Sequence, residues 1–229
     1  MDLTNRELLQ SPSRKRKRVG ERTEVSKKSS SLSETEIVAT KKDVSPVEFL
    51  RLLIPSAEDP TQSGASLFPF SGQAPSMEEL KNYDMESVTA IRAMDVAHLR
   101  HLLTNQGKSF HGCNRNGESL LHLACRRSNV DTVNFLVHEA NVATNAVDDL
   151  GRTILHDAVW KSFADVELLK ALLPTISPRL LLQKDQRGHT AFDYARRQHW
   201  TVWTEFLESH KDFIVRRLSM EGEPGTIVG

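Results

Sequence analysis

The stretch GRTILHDAVW, Gly151 to Trp160, decides how the chain is read. Alone it offers a glycine ahead of a histidine–aspartate pair, which suggests a phosphate loop or a catalytic dyad. Neither reading survives its context. A phosphate loop needs a longer glycine-rich turn closed by Lys-Ser/Thr, and that is missing. A triad needs a third group that nothing here fixes, and Asp157 directly follows His156, so on a helix the two side chains diverge by about 100°.

Working outward, the same texture returns. SLLHLA (Ser119–Ala124), TILHDA (Thr153–Ala158) and TAFDYA (Thr190–Ala195) lie in register, each behind a polar turn. The turns carry Gly117, Gly151 and Gly188, spaced by 34 and 37 residues. A degenerate earlier unit, VTAIRAMDVAHLRHLL, places Ala90 34 residues before Ala124. Repeats of this period indicate a solenoid. In each unit Ser119, Thr153 or Thr190 stands where it caps a short first helix rich in alanine and leucine. A second helix follows with apolar residues at helical spacing: Val130, Val133 and Leu136, then Val166, Leu169, Leu172 and Leu173, then Trp203, Phe206 and Leu207. Pro174 stops the second helix of the third unit.

These units resemble the ankyrin-repeat family, whose signature is a turn followed by Thr-Pro-Leu-His-x-Ala. The resemblance covers residues 85–210. The local texture, GESLLHLACRR and DLGRTILHDAVW, is most similar to algal ankyrin-repeat proteins of uncharacterised activity. The resemblance implies an all-α, ankyrin-repeat solenoid of helix–turn–helix pairs joined by turn tips. It makes Gly117, His122, Gly151, Thr153, His156, Gly188 and Thr190 structural repeat residues, with the histidines bridging neighbouring turns. The departures are specific. No unit keeps the proline, the third has about two extra residues assigned to its second helix, and Asp193 replaces histidine in the last. The expected organisation is a disordered basic arm over 1–45, a linker with a short apolar segment over 46–78, four repeats over 79–211, and a cap and tail over 212–229.

The family binds partners through its turn tips and the exposed side of its first helices. Carried over, that surface is Arg115, Asn116, Glu118, Arg126 and Arg127, then Asp149, Leu150, Arg152, Trp160 and Lys161, then Gln186, Arg187, His189, Arg197 and Gln198. Seven of these fifteen are Lys or Arg and two are Asp or Glu, a net +5 on a chain whose formal charge is zero. Arg115, Asn116, Arg126, Arg127, Leu150, Arg152, Trp160, Lys161, Arg187 and Arg197 form the candidate partner site. A basic groove with an aromatic anchor reads as recognition of an acidic protein segment. The alternative is nucleic acid, held by its phosphates on the groove and the basic arm. No reading helix or stacking sheet accompanies that alternative.

The remaining chain fits a non-enzymatic module with no cofactor. With 38 % hydrophobic residues and two cysteines, Cys113 and Cys125, it lacks the disulfide framework of a small secreted protein. MDLTNRELLQ has no apolar signal-peptide core, and no run reaches the length of a membrane span. His111, Cys113, His122 and Cys125 are zinc-ligand types, but the repeat already claims His122 and Cys125 as packing residues, so no metal is expected. Residues 1–45 hold eleven Lys/Arg against seven Asp/Glu, concentrated in Arg14, Lys15, Arg16, Lys17 and Arg18. That run reads as a nuclear import signal for an import receptor, which makes the chain nuclear or nucleocytoplasmic, and cytoplasmic if the run does not function. Ser11-Pro12 and Ser45-Pro46 are candidate proline-directed phosphorylation sites. PVEFLRLLI (Pro46–Ile54) is either a cap on the repeat domain or a docking segment, and Phe213, Ile214 and Leu218 are expected to cap the last repeat. Oligomeric state is not encoded in any of these patterns.

Overall fold

The computed structural model describes residues 44–54 and 74–221. The basic run Arg14–Arg18 and the Ser11-Pro12 site lie outside them. Among the described residues the secondary structure is helical, with isolated bridges and no strand. After α1 (Pro46–Leu53) and a short α2 (Met77–Asn82), four units follow. The first is α3 (Met85–Ala93) with α4 (Val96–Gln106). The second is α5 (Leu120–Arg127) with α6 (Val130–Asn134), which widens into a π turn over Phe135–Glu139. The third is α7 (Ile154–Val159) with α8 (Val166–Leu172). The fourth opens on a 3-10 turn, Ala191–Tyr194, and continues in α9 (Trp200–Ser209); α10 (Lys211–Glu221) closes the chain.

Each turn tip is built by one recurring local device. Asn114 Oδ1 accepts the amides of Asn116 and Glu118, Asp148 Oδ1 those of Leu150 and Arg152, and Asp185 Oδ1 those of Arg187 and His189, all between 2.8 and 3.1 Å. Gly117, Gly151 and Gly188 close these turns at φ of 76°, 74° and 80°. At Gly151 the left-handed backbone is what calls for glycine; a Cβ there would reach van der Waals contact, 3.4 Å from the Gln186 amide of the next tip. Successive tips bond through Asp149 N–H to the Asn116 carbonyl (2.8 Å) and Gln186 N–H to the Leu150 carbonyl (2.9 Å).

Behind the tips, Ser119, Thr153 and Thr190 cap the first helices in capping boxes whose third members are His122, His156 and Asp193. The first helices stack on one another and the second helices stack behind them, so the core is continuous from Val88 to Ile214. Leu120, Leu121, Ile154, Leu155, Ala191 and Phe192 are fully enclosed. In the second helices Val133, Leu136, Leu169, Leu172 and Trp203 are buried, while Val130 and Val166 pack partly exposed at the first turn.

Three expectations need correcting. The extra residues of the third unit are not in its second helix. Twelve residues separate Ile154 from Val166 where ten separate Leu120 from Val130, so the insertion lies in the connection carrying Trp160 and Phe163. Phe213 is exposed, so the C-terminal cap is made by Ile214 with help from Leu218. Pro46–Ile54 is resolved as a cap, but on the far end of the stack. Val47, Leu50 and Ile54 are buried against α9 and the 3-10 turns Pro178–Leu182 and Ala191–Tyr194. A solenoid end exposes the apolar face that a further repeat would cover; here α1 covers it. No helix among the described residues is long and apolar enough to cross a membrane.

Candidate functional site

The two histidines of the repeat have both ring nitrogens committed. Ser119 and Thr153 donate their amide N–H to Nδ1 of His122 and His156, at 3.2 and 3.0 Å. Because Nδ1 accepts, the proton sits on Nε2, which donates to the Arg152 carbonyl from His122 and to the His189 carbonyl from His156, each at 3.2 Å. Burial holds both imidazoles below the ordinary histidine pKa, and a neutral ring is what this geometry requires. His156 is thus a tie between the third and fourth tips. Asp157 is buried beside it and turned to Arg126.

The surface of tips and first helices carries less free positive charge than the sequence suggested. Arg126 donates Nε–H to Asp157 Oδ1 at 3.1 Å and also binds Glu118. Arg152 donates to Asp148 at 2.7 Å and lies 3.6 Å from Glu118. Two guanidinium groups therefore meet three carboxylates, so the centre of the groove holds no excess positive charge. The bond to Asp157 raises the Arg126 pKa. Burial alone would raise the Glu118 pKa, but its bonds to Arg126 and Asn114 prevail and lower it. Lys161 corrects the sequence reading most clearly: its side chain is 7 % exposed and bonds to Ser128 and Asp165, so it ties the second unit to the third and does not face a partner.

Of the candidate residues, Arg115, Asn116, Arg126, Arg127, Leu150, Trp160, Arg187 and Arg197 are exposed. Arg197 lies 5.7 Å from the Trp200 ring. Trp160 is 63 % exposed at the end of α7 and faces Tyr194, ring centroids 6.4 Å apart. Between the third and fourth units these rings wall a cleft of about 350 Å³ with Leu150, Arg152, Arg187 and Gln186, floored by His156, Asp157 and Asp185. The floor is polar but satisfied. Asp157 is held by Arg126, and Asp185 accepts from the Tyr194 hydroxyl at 2.5 Å and from two amides. What the cleft offers an incoming chain is aromatic and aliphatic surface below an arginine at the rim.

Sequence reading missed Tyr194 and the role of Asp157. The signal was available, because Leu123, Asp157 and Tyr194 occupy the same register, one residue after the box-closing His122, His156 and Asp193. Asp157 and Tyr194 line the cleft from this position, while Leu123 is buried in the core.

His111, Cys113, His122 and Cys125, the zinc-ligand types of the second unit, are not gathered as a set among the described residues. Cys125 is fully enclosed with its thiol pKa raised by burial, His122 is tied as described, and no group of three His, Cys, Asp or Glu among the described residues is placed to hold a metal ion.

No curated protein matches the chain. Residues 88–178 match the family model for ankyrin repeats (3 copies), and with its stacked tips, capped first helices and antiparallel second helices this all-α fold is an ankyrin-repeat solenoid.

Proposed function

We propose that the chain is a non-enzymatic scaffold that binds an acidic protein segment through the cleft between its third and fourth units. Ankyrin repeats generally mediate protein–protein interaction and are typically not enzymes. The observation that carries the finer reading is the 63 % exposed Trp160 facing Tyr194 across an open, satisfied cleft. A large aromatic side chain left in water beside Leu150 is favourably covered by an apolar partner residue. Arg187 and Arg152 line the cleft with it, Arg115 and Arg127 are exposed on the second unit, and the ion pairs of Arg126 and Arg152 stiffen the groove. Acidic residues flanking an apolar anchor fit that arrangement, with rim charges acting chiefly on association rate and salt dependence.

Affinity capture from native extract with the wild type, Trp160→Ala, and Arg127→Ala/Arg187→Ala at two salt concentrations tests the assignment. A partner lost with Trp160→Ala and weakened by salt or by the arginine pair is the expected result. Retention of every partner by both variants sinks the cleft, and capture of nuclease-sensitive material in its place transfers the groove to nucleic acid. Import by Arg14–Arg18 is a separate proposal resting on the charge run. Residues 1–30 fused to a fluorescent reporter are expected to concentrate it in nuclei, and an evenly cytoplasmic signal ends that proposal.

A further inference from the structure

We propose that Ser45 is a phosphorylation site, and that phosphate there releases α1 from the last repeat. The inference is independent of the cleft and begins with what α1 does. Its buried residues Val47, Leu50 and Ile54 cover the end of a stack whose opposite end lies nearer to it in sequence. The link that fixes its start is Thr204 Oγ1 donating to the Val44 carbonyl at 3.4 Å, a contact across 160 residues.

Ser45 is where the seat and the helix meet. It is the N-cap of α1, extended at φ −69° and ψ 148°, and followed by Pro46. Its Oγ accepts the Glu48 amide at 3.2 Å, and the Glu48 carboxylate returns to accept Ser45 N–H at 3.1 Å. The same carboxylate oxygen lies 3.1 Å from Oγ. An eight-residue helix does not persist alone in water, so the capping box and the seat form one equilibrium. Weakening either weakens both.

The step is an ordinary transfer. The γ-phosphoryl group of a nucleoside triphosphate passes to Ser45 Oγ; the new O–P bond forms as the β–γ bridging bond breaks, the diphosphate leaves, and the hydroxyl proton passes to the kinase base and solvent. The product carries about −1.5 to −2 charge where Glu48 now closes the box. Two anions within about 3 Å repel strongly, so Glu48 is driven off. The phosphate can itself accept the freed amides and suits a helix N-terminus. Half-buried beside Glu48 and the seat, however, it carries a repulsion and desolvation cost that docking of α1 must bear. A kinase also needs Pro46 and Val47 out of the seat, since both are buried when α1 is docked. Modification therefore selects the open form and then disfavours its return.

The test treats the full chain with a proline-directed kinase and ATP, alongside Ser45→Ala, which separates this site from Ser11 and from Ser177-Pro178. Hydrogen exchange is then followed in α1, α9 and the first two units. Phosphate on Ser45 with exchange about tenfold faster in α1 and α9, and unchanged in α3 and α5, is the expected result. Leu50→Ala, which loosens the seat and leaves the motif intact, should accelerate phosphorylation of Ser45. Failure of Ser45 to accept phosphate in that variant overturns the site. Phosphorylation with unchanged or slower exchange overturns the release.

Discussion

The tip of the third unit and the tip of the fourth differ by one side chain that matters. His156 closes a capping box with one ring nitrogen and ties the next tip with the other. Asp193 closes its box as well, accepting Thr190 N–H at 2.7 Å, but it is exposed and no further tip follows it among the described residues. An imidazole is useful where two faces must be joined, because it offers an acceptor and a donor on opposite edges. At the last unit a carboxylate makes the local bond equally well. The departure from the family pattern thus marks the end of the stack. The first helix of that unit has also shortened to a 3-10 turn, and α1 and α10 complete its packing.

Exchanging the two side chains is the sharpest way to break this comparison. His156→Asp leaves the His189 carbonyl without its donor and places a carboxylate in a buried site, so stability should fall by about 3 kcal/mol, measured by denaturant unfolding. A loss as small as that of a surface substitution would mean that the tips are held by their backbone bonds alone. Next in size is Leu50→Ala, expected to cost about 2–4 kcal/mol at the capped end. Exchange should rise in α9 and leave the first two units protected, as nearest-neighbour stability in a solenoid requires; uniform loss would show that the two ends unfold together.

The pH dependence follows from the same histidines. Their folded pKa values lie below the ordinary 6.5, so between those values and 6.5 the unfolded chain binds protons that the folded chain does not. Stability is therefore greatest above 6.5 and falls as pH drops below it. Tm measured from pH 7.5 to 5.5 should decline, and His122→Gln with His156→Gln should flatten the decline. Carboxylates with lowered pKa values, Asp84, Glu118 and Asp185, contribute a further loss at more acid pH.

The smallest effects are expected at the two exposed positions. Asp193→His should change stability by less than about 0.5 kcal/mol, since Nδ1 can close the box and nothing waits for Nε2. Trp160→Ala should also leave stability within about 0.5 kcal/mol while weakening partner binding by about 2 kcal/mol, some thirtyfold in Kd. A large stability loss at Trp160 would make it a packing residue and remove the cleft's anchor.

Much of this was legible because it is local. Turn, cap and box bind residues three or four positions apart, and the spacing of leucines and valines names the buried face of each helix. The register of His122 and His156 belongs to the same class, since one repeat explains both. The charge of the groove was not legible by counting. Arg126 meets Asp157 31 residues away, and Arg152 approaches Glu118 across 34. These pairs exist because stacking brings successive tips and first helices side by side, and a count of surface lysines and arginines sees no such neighbours. Lys161 was misplaced for that reason.

By itself, then, the sequence determined the repeat: its period, its glycine turns, its capped helices and the histidines that tie them, all set by bonding within a few residues and by helical spacing. The tertiary structure decided which charges are spent inside the groove, where Tyr194 opposes Trp160, and that Pro46–Ile54 closes the end of the stack farthest from it in sequence. The physical reason is separation along the chain. Contacts one repeat apart need the stack before they can form, and the Val44–Thr204 contact needs the whole of it.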